Sequence, residues 1–306
     1  MTAPAAPRPP PAGPRRAAAA RAPAPATRRA LLGGAAAAAA ALAAGPRPPP
    51  ASARPSIADR IREPGVVKNV GYLGLVPKEK ELLFPGWMEG EWEATSTLRG
   101  FRAPLGPSFA PPDMAAAAKR PAEEGGEGST VGYRLRFRRD APRGGLLGPR
   151  GEGPVVSDRR FNGRSAFNAR ALKFNGFGPV EYVDYDERTP DRLTLVFKTV
   201  GPDMRQLPQR KIELYVNGRS SESARDAEGR EVFRASELYR QVFVGPRTVE
   251  ATDYEVLWEY TRLGDGRVRG RQRTVFYLQP QEPRYFDAAG GSIGVYDYDV
   301  DLERVG

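Results

Sequence analysis

Carboxylates and arginines carry most of the polar chemistry open to this chain, because its 306 residues include neither cysteine nor histidine. Thiolate nucleophiles, disulfides, histidine-based triads and thiolate or imidazole metal sites are therefore excluded. General acid–base work needs two carboxylates held in one cleft. The acidic groups Glu123-Glu124 and Asp184, Asp186, Glu187 fall in or beside loops, where carboxylates are usually solvated, so no catalytic residue is assigned. Asp297, Asp299 and Asp301 share one face of a strand, roughly 7 Å apart. Calcium needs about six to eight oxygens converging from a bent loop, so this straight row reads as a solvated face and no metal site is assigned. Gly290-Gly291 and Gly294 lack the lysine and the strand-to-helix setting of a phosphate loop and read as a turn.

Two stretches hold more. Asp158-Arg159-Arg160-Phe161-Asn162-Gly163-Arg164 is the densest mixture of charge, aromatic and turn residues. Its guanidiniums have the forked geometry that binds carboxylate or phosphate. The alternative is a short helix capped by Asn162 or Ser165, with its arginines on the surface. In 232–244 neither face is cleanly apolar. Either Arg234 and Arg240 or Glu237 and Gln241 must point inward, and a buried charge must be paired or hydrated.

The elements that position these residues are strands. Residues alternate with period two at Trp92, Ala94, Ser96, Leu98; at Val131, Tyr133, Leu135, Phe137; and at Tyr254, Val256, Trp258, Tyr260. The pattern recurs at 193–197, 212–216 and 296–302, and with 180–183, 232–244 and 268–278 it gives nine strand candidates. Only 161–173 reads as helix. Sequential antiparallel strands with exposed edges favour closure, so the expected fold is all-β: an antiparallel up-and-down barrel of about eight or nine strands with one short helix. Segments 102–128 and 141–153, rich in Gly, Pro or Ala, are expected as surface insertions.

One hairpin is informative about register. A two-residue Asp265-Gly266 turn would pair Glu259 with Gln272 and put half of each apolar set in water. A three-residue Gly264-Asp265-Gly266 turn is expected instead, with Thr261 opposite Arg269 and Glu259 opposite Arg271 as an exposed ion pair.

Residues 1–53 have seven arginines, no acidic residue, and otherwise mostly Ala, Pro and Gly. Thr27-Arg28-Arg29-Ala30-Leu31-Leu32, an alanine-rich run and Ala51-Ser52-Ala53 follow the order of a twin-arginine export signal with its cleavage site. The arginine-rich stretch before it suits a chloroplast transit peptide preceding a thylakoid signal. The expected destination is the thylakoid lumen, with a bacterial exported or periplasmic protein as the alternative. The apolar run is shorter than the roughly 20 residues a span requires, so no membrane crossing is expected. Without the address, 40 basic residues face 37 acidic ones, a net charge of about +3 rather than +10, which removes the compositional support for nucleic acid binding. An extended lead-in, 54–83, with a helical piece near 57–62, precedes the barrel domain at 84–306.

Gly90-Glu91-Trp92 opens the first strand and resembles the Gly-x-Trp with which lipocalins and other calycins close the barrel floor. More widely, Phe84-Pro85-Gly86-Trp87, Val156-Ser157-Asp158-Arg159-Arg160-Phe161-Asn162 and Phe233-Arg234-Ala235-Ser236-Glu237-Leu238-Tyr239-Arg240-Gln241 resemble an uncharacterised cyanobacterial and plastid domain family. That resemblance implies a photosynthetic lineage and supplies no activity. The leading expectation is a non-enzymatic barrel without a cofactor. Its interior, lined by Trp92, Tyr133, Tyr254 and Trp258 with Arg240 as a polar group, is expected to hold a small apolar ligand such as a pigment, quinone or lipid. The alternatives are an assembly factor for photosynthetic membrane complexes and, third, a carboxylate-based enzyme acting on a carotenoid or lipid.

Overall fold

The computed structural model describes residues 55–68, 80–140, 153–170, 179–198 and 209–306. The address at 1–53 and nearly all of 141–153 lie outside them. In chain order the elements are α1 (Ile57–Arg60), β1 (Gly90–Arg102), α2 (Pro112–Ala118), β2 (Thr130–Arg139), β3 (Val155–Ser157), α3 (Arg159–Arg170) and β4 (Val180–Tyr185). They continue with β5 (Arg192–Phe197), β6 (Lys211–Arg225), β7 (Glu231–Val244), β8 (Val249–Gly264), β9 (Arg267–Tyr277), α4 (Tyr285–Ala288) and β10 (Gly294–Arg304).

All ten strands belong to one antiparallel sheet in the order β3-β2-β1-β10-β9-β8-β7-β6-β5-β4. This corrects the closed barrel of eight or nine strands: the sheet curls into a half-barrel, and its end strands β3 and β4 do not pair with each other. The extra strand, β3, is three residues long, too short to register as a periodic signal.

Helix α3 occupies the gap and supplies the hydrogen bonds a neighbouring strand would have made. Asn162 Oδ1 accepts from the Arg136 amide at 2.6 Å, and its Nδ2 donates to the Arg136 carbonyl at 3.0 Å. Ser165 Oγ accepts from the Arg134 amide at 2.9 Å, and Asn168 Oδ1 from Val180 at 2.7 Å. Exposed edges therefore gain polar partners on both sides of the gap. Asn162 and Ser165 are thus edge partners; the Phe161 amide is capped by Asp158 Oδ1 at 3.1 Å.

The expected inward sets of β1, β2, β8 and β10 face one another in the register, for example Ala94 opposite Tyr133 and Leu302, and Trp258 opposite Gln272. Trp92, Phe137, Phe233, Tyr260, Val268 and Leu302 anchor a core at the floor of the curl. A second core lies on the outer face, where Ile57 and Ile61 pack on Leu238, Leu257, Val275 and Val295. Beneath α1, Arg60 makes a forked pair with the fully buried Glu255 (2.7 and 2.5 Å). Segment 102–128 carries α2 and a 3-10 turn, and Tyr296 fastens α2 to the sheet by donating to the Met114 carbonyl at 2.7 Å.

The β8–β9 hairpin has the expected pairing, with Glu259 opposite Arg271 and Thr261 opposite Arg269, reached by a different route. Gly264 pairs with Arg267 across a two-residue Asp265-Gly266 turn, and a bulge between Arg262 and Gly264 absorbs the extra residue. Gly266, at φ 78°, takes the left-handed position. The expected Glu259–Arg271 ion pair does not form: Arg234 (2.5 Å) and Arg62 (3.0 Å) hold the carboxylate instead.

Candidate ligand-binding site

The inner face of the half-barrel encloses a cavity of about 710 Å³. Alternation along β8 turns Tyr254, Val256, Trp258 and Tyr260 into it, and β2 contributes Tyr133 and Leu135. Tyr254 stacks on Tyr239 at 5.3 Å and lies 5.7 Å from Phe276, forming an aromatic wall. Trp258 donates its indole N–H to Gln272 Oε1 at 3.2 Å. Burial pushes the phenol pKa values of Tyr133, Tyr254 and Tyr260 above the ordinary value, so these rings present neutral hydroxyls.

One side of the cavity is charged. Glu237 receives Arg159 Nη2 at 2.7 Å and Arg219 Nε at 2.6 Å on one oxygen, and Arg159 Nη1 at 3.2 Å with the Tyr239 hydroxyl on the other. Burial alone would raise this carboxyl, but the Arg159 and Arg219 guanidiniums outweigh it and hold the pKa at about 2. Arg159 also binds Glu81, which accepts from the Tyr185 hydroxyl at 3.0 Å. The network is a matched set of buried charges. A carboxylate so saturated is a poor proton donor or acceptor near neutral pH.

Arg219 reaches the interior through a backbone irregularity. Val216 faces inward opposite Tyr239; the bulge between Val216 and Gly218 then reverses the parity, so Arg219 lies inward opposite Glu237. In β7, Glu237 and Gln241 face the cavity, which resolves the ambiguity of that strand.

The structure brings Tyr133, Tyr254 and Trp258 together in the cavity lining. Trp92 packs in the floor core outside that lining, 1% exposed, and donates to the Met88 carbonyl at 2.7 Å. Arg240 faces away from the cavity and makes a forked pair with Asp253 on the outer surface (2.8 and 2.9 Å). Sequence reasoning missed Arg219, Glu81 and Arg170 as interior groups, and it left Arg159 between anion binding and the surface. Arg159 stood in the densest charged stretch, the one signal that could have found it. Arg170, in the last turn of α3, lines the cavity with its guanidinium 5.0 Å from the Tyr298 ring centre.

Among the described residues no acidic cluster is arranged to hold a metal ion, and no helix is long and apolar enough to cross a membrane. No curated protein and no solved structure matches the chain. Residues 78–306, from just before the Glu81 of the charged network to the C-terminus, match the family described as Domain of unknown function (DUF6816), and the chain belongs to that family.

Proposed function

We propose that this chain is a non-enzymatic binding protein whose calycin-like half-barrel holds a small, largely apolar ligand such as a pigment, quinone or lipid. The observation that carries this reading is the cavity of about 710 Å³ with its wall of Tyr254, Phe276 and Trp258. That volume falls within the range of sites for drug-sized molecules, and the wall has the apolar and aromatic character of such sites. Non-enzymatic action is supported by the saturation of Glu237, the carboxylate deepest in the charged network. The Gly-x-Trp at the floor of the curl supports the calycin-like description. The test is to purify the chain, extract it with organic solvent, and analyse the extract by absorption and mass spectrometry. A stoichiometric chromophore or lipid is the expected result; a consistently empty extract from protein purified out of its native source counts against the reading.

The proposed location is the thylakoid lumen, supported by the twin arginines Arg28-Arg29 and the Ala51-Ser52-Ala53 site. N-terminal sequencing of the native protein is expected to begin near Arg54, in the lumenal fraction. A second reading, an assembly factor for membrane complexes, draws on one corner of the surface. There Val67, which bridges to Gly291, is 66% exposed, and Phe286, in α4 just before the Gly290-Gly291 pair, is 85% exposed. If this corner docks a complex, Phe286→Ser abolishes pull-down of thylakoid proteins and leaves the extract unchanged.

A further inference from the structure

The polar groups of the cavity fall into two sets. Arg159 and Arg219 are spent on Glu237, Glu81 and Asp191. Arg170 is different: it lines the cavity, is half-buried, and makes no ion pair with any described residue. Its guanidinium lies over the face of Tyr298. The half-buried side chains of Tyr133 and Tyr298 line the same cavity, and their hydroxyls have no hydrogen-bond partner among the described residues, which leaves both able to donate to a ligand. Burial raises the Tyr133 hydroxyl pKa and the Arg170 charge opposes that rise. One cation and two phenol hydroxyls thus share the lining of a cavity that also carries the aromatic wall.

We propose that the cavity selects an apolar molecule bearing one carboxylate, with Arg170 as the counter-ion and the Tyr133 and Tyr298 hydroxyls as accompanying donors. This rests on the ligand-binding reading above and names the class of ligand. A guanidinium presents a planar fork that matches a carboxylate, and half-burial strengthens the pair by limiting solvent screening. A monoanion fits better than a dianion such as a phosphate monoester, because Arg170 supplies one charge and the lining, which also includes Asp113, Glu237 and Glu282, offers no second cation outside the Glu237 network. The apolar body of the ligand lies along Tyr254, Phe276 and Trp258.

The test uses the full chain, a fluorescent long-chain carboxylic acid, and the methyl ester of that acid, which keeps the apolar body and removes the charge. Wild-type protein is expected to bind the acid about tenfold or more tightly than the ester. In Arg170→Gln that preference is expected to collapse to within about twofold, while Arg170→Lys, which keeps the charge and loses the fork, retains part of it. Acid and ester bound equally by wild-type protein would overturn the carboxylate assignment and leave the cavity reading standing. Failure of both probes to bind would overturn the cavity reading and the assignment with it. An acid preference that survives in Arg170→Gln assigns the anion to another residue and overturns the role of Arg170. The wild-type comparison of acid with ester requires no variant, so the proposal stays testable if Arg170→Gln folds poorly.

Discussion

The Arg304 guanidinium lies over the face of Trp92, 4.5 Å from the ring centre, and donates to the carbonyl oxygens of Trp87 (2.9 Å) and Glu89. The end of the last strand is thereby clamped onto the entry to the first. The clamp explains the glycine two residues before the tryptophan: Gly90 sits at φ 122°, and a Cβ there would collide with Arg304 Nη1. Trp92→Ala empties the centre of the floor core and is expected to cost about 3 to 5 kcal/mol in urea unfolding. A loss under roughly 1 kcal/mol would show that the floor does not depend on this ring.

Arg60 and Glu255 tie the segment before the matched family region to the outer face of the sheet. Glu255 also accepts from Ser236 and from the Tyr277 hydroxyl (2.9 Å), and its carboxylate is wholly buried. Arg60→Ala leaves that charge without its counter-ion and is expected to destabilise the fold by about 3 to 5 kcal/mol. Arg60→Met combined with Glu255→Gln is expected to recover a substantial part of the loss. A double-mutant cycle read by urea midpoints checks the coupling, and additive effects would show that the pair does not act as a unit.

Glu237 makes stability depend on pH on the acid side. Its folded pKa of about 2 lies below the ordinary value of 4.5, so the native state holds the ionised form more firmly than the unfolded chain does. The contribution is fully present above about pH 4.5 and is lost as pH falls toward 2, on the order of 3 kcal/mol over that window. Glu237→Gln is expected to be less stable at neutral pH, because Arg159 and Arg219 each lose one of their charge partners and keep only Glu81 and Asp191, and to show a flatter stability profile between pH 5 and 2. Parallel slopes for the two proteins would assign the acid sensitivity to other carboxylates.

Much of the strand arrangement was legible because alternation depends on burial, and burial depends on which side chains are apolar. Trp92, Tyr133, Tyr254 and Trp258 all point to the side their spacing implies. What escaped the sequence is what breaks parity or joins distant segments. The β6 bulge brings Arg219 inside, and the Arg262–Gly264 bulge lets a two-residue turn reach a register that parity alone assigned to three residues. Arg240 and Glu237 stand three apart on a strand with no clean apolar face, so only their partners, Asp253 on the outside and Arg159 within, decide the direction of each. The closed barrel was overdrawn because periodicity reveals strands and cannot show whether the last finds the first.

Helix α3 is therefore the element whose side chains the fold depends on most specifically. Asn162 meets both the amide and the carbonyl of Arg136 and also donates to Ser157 Oγ at 2.8 Å, so one amide group satisfies three polar atoms at the sheet edge. Asn162→Leu keeps a side chain branched at the same carbon, raises helix propensity and removes all three bonds, so a loss of stability is not due to a weaker helix. Unpaired edge groups near Arg136 then stay desolvated under the helix or draw water in, at an expected cost of about 1 to 3 kcal/mol. Hydrogen exchange gives the sharper readout. The Arg136 and Arg134 amides, protected by Asn162 and Ser165, are expected to exchange much faster in the variant, whereas the Trp258 amide in the middle of β8 changes only by the global loss of stability. Unchanged protection at Arg136 would mean that the edge is covered by something other than α3, and the account of how this half-barrel closes would have to be redrawn.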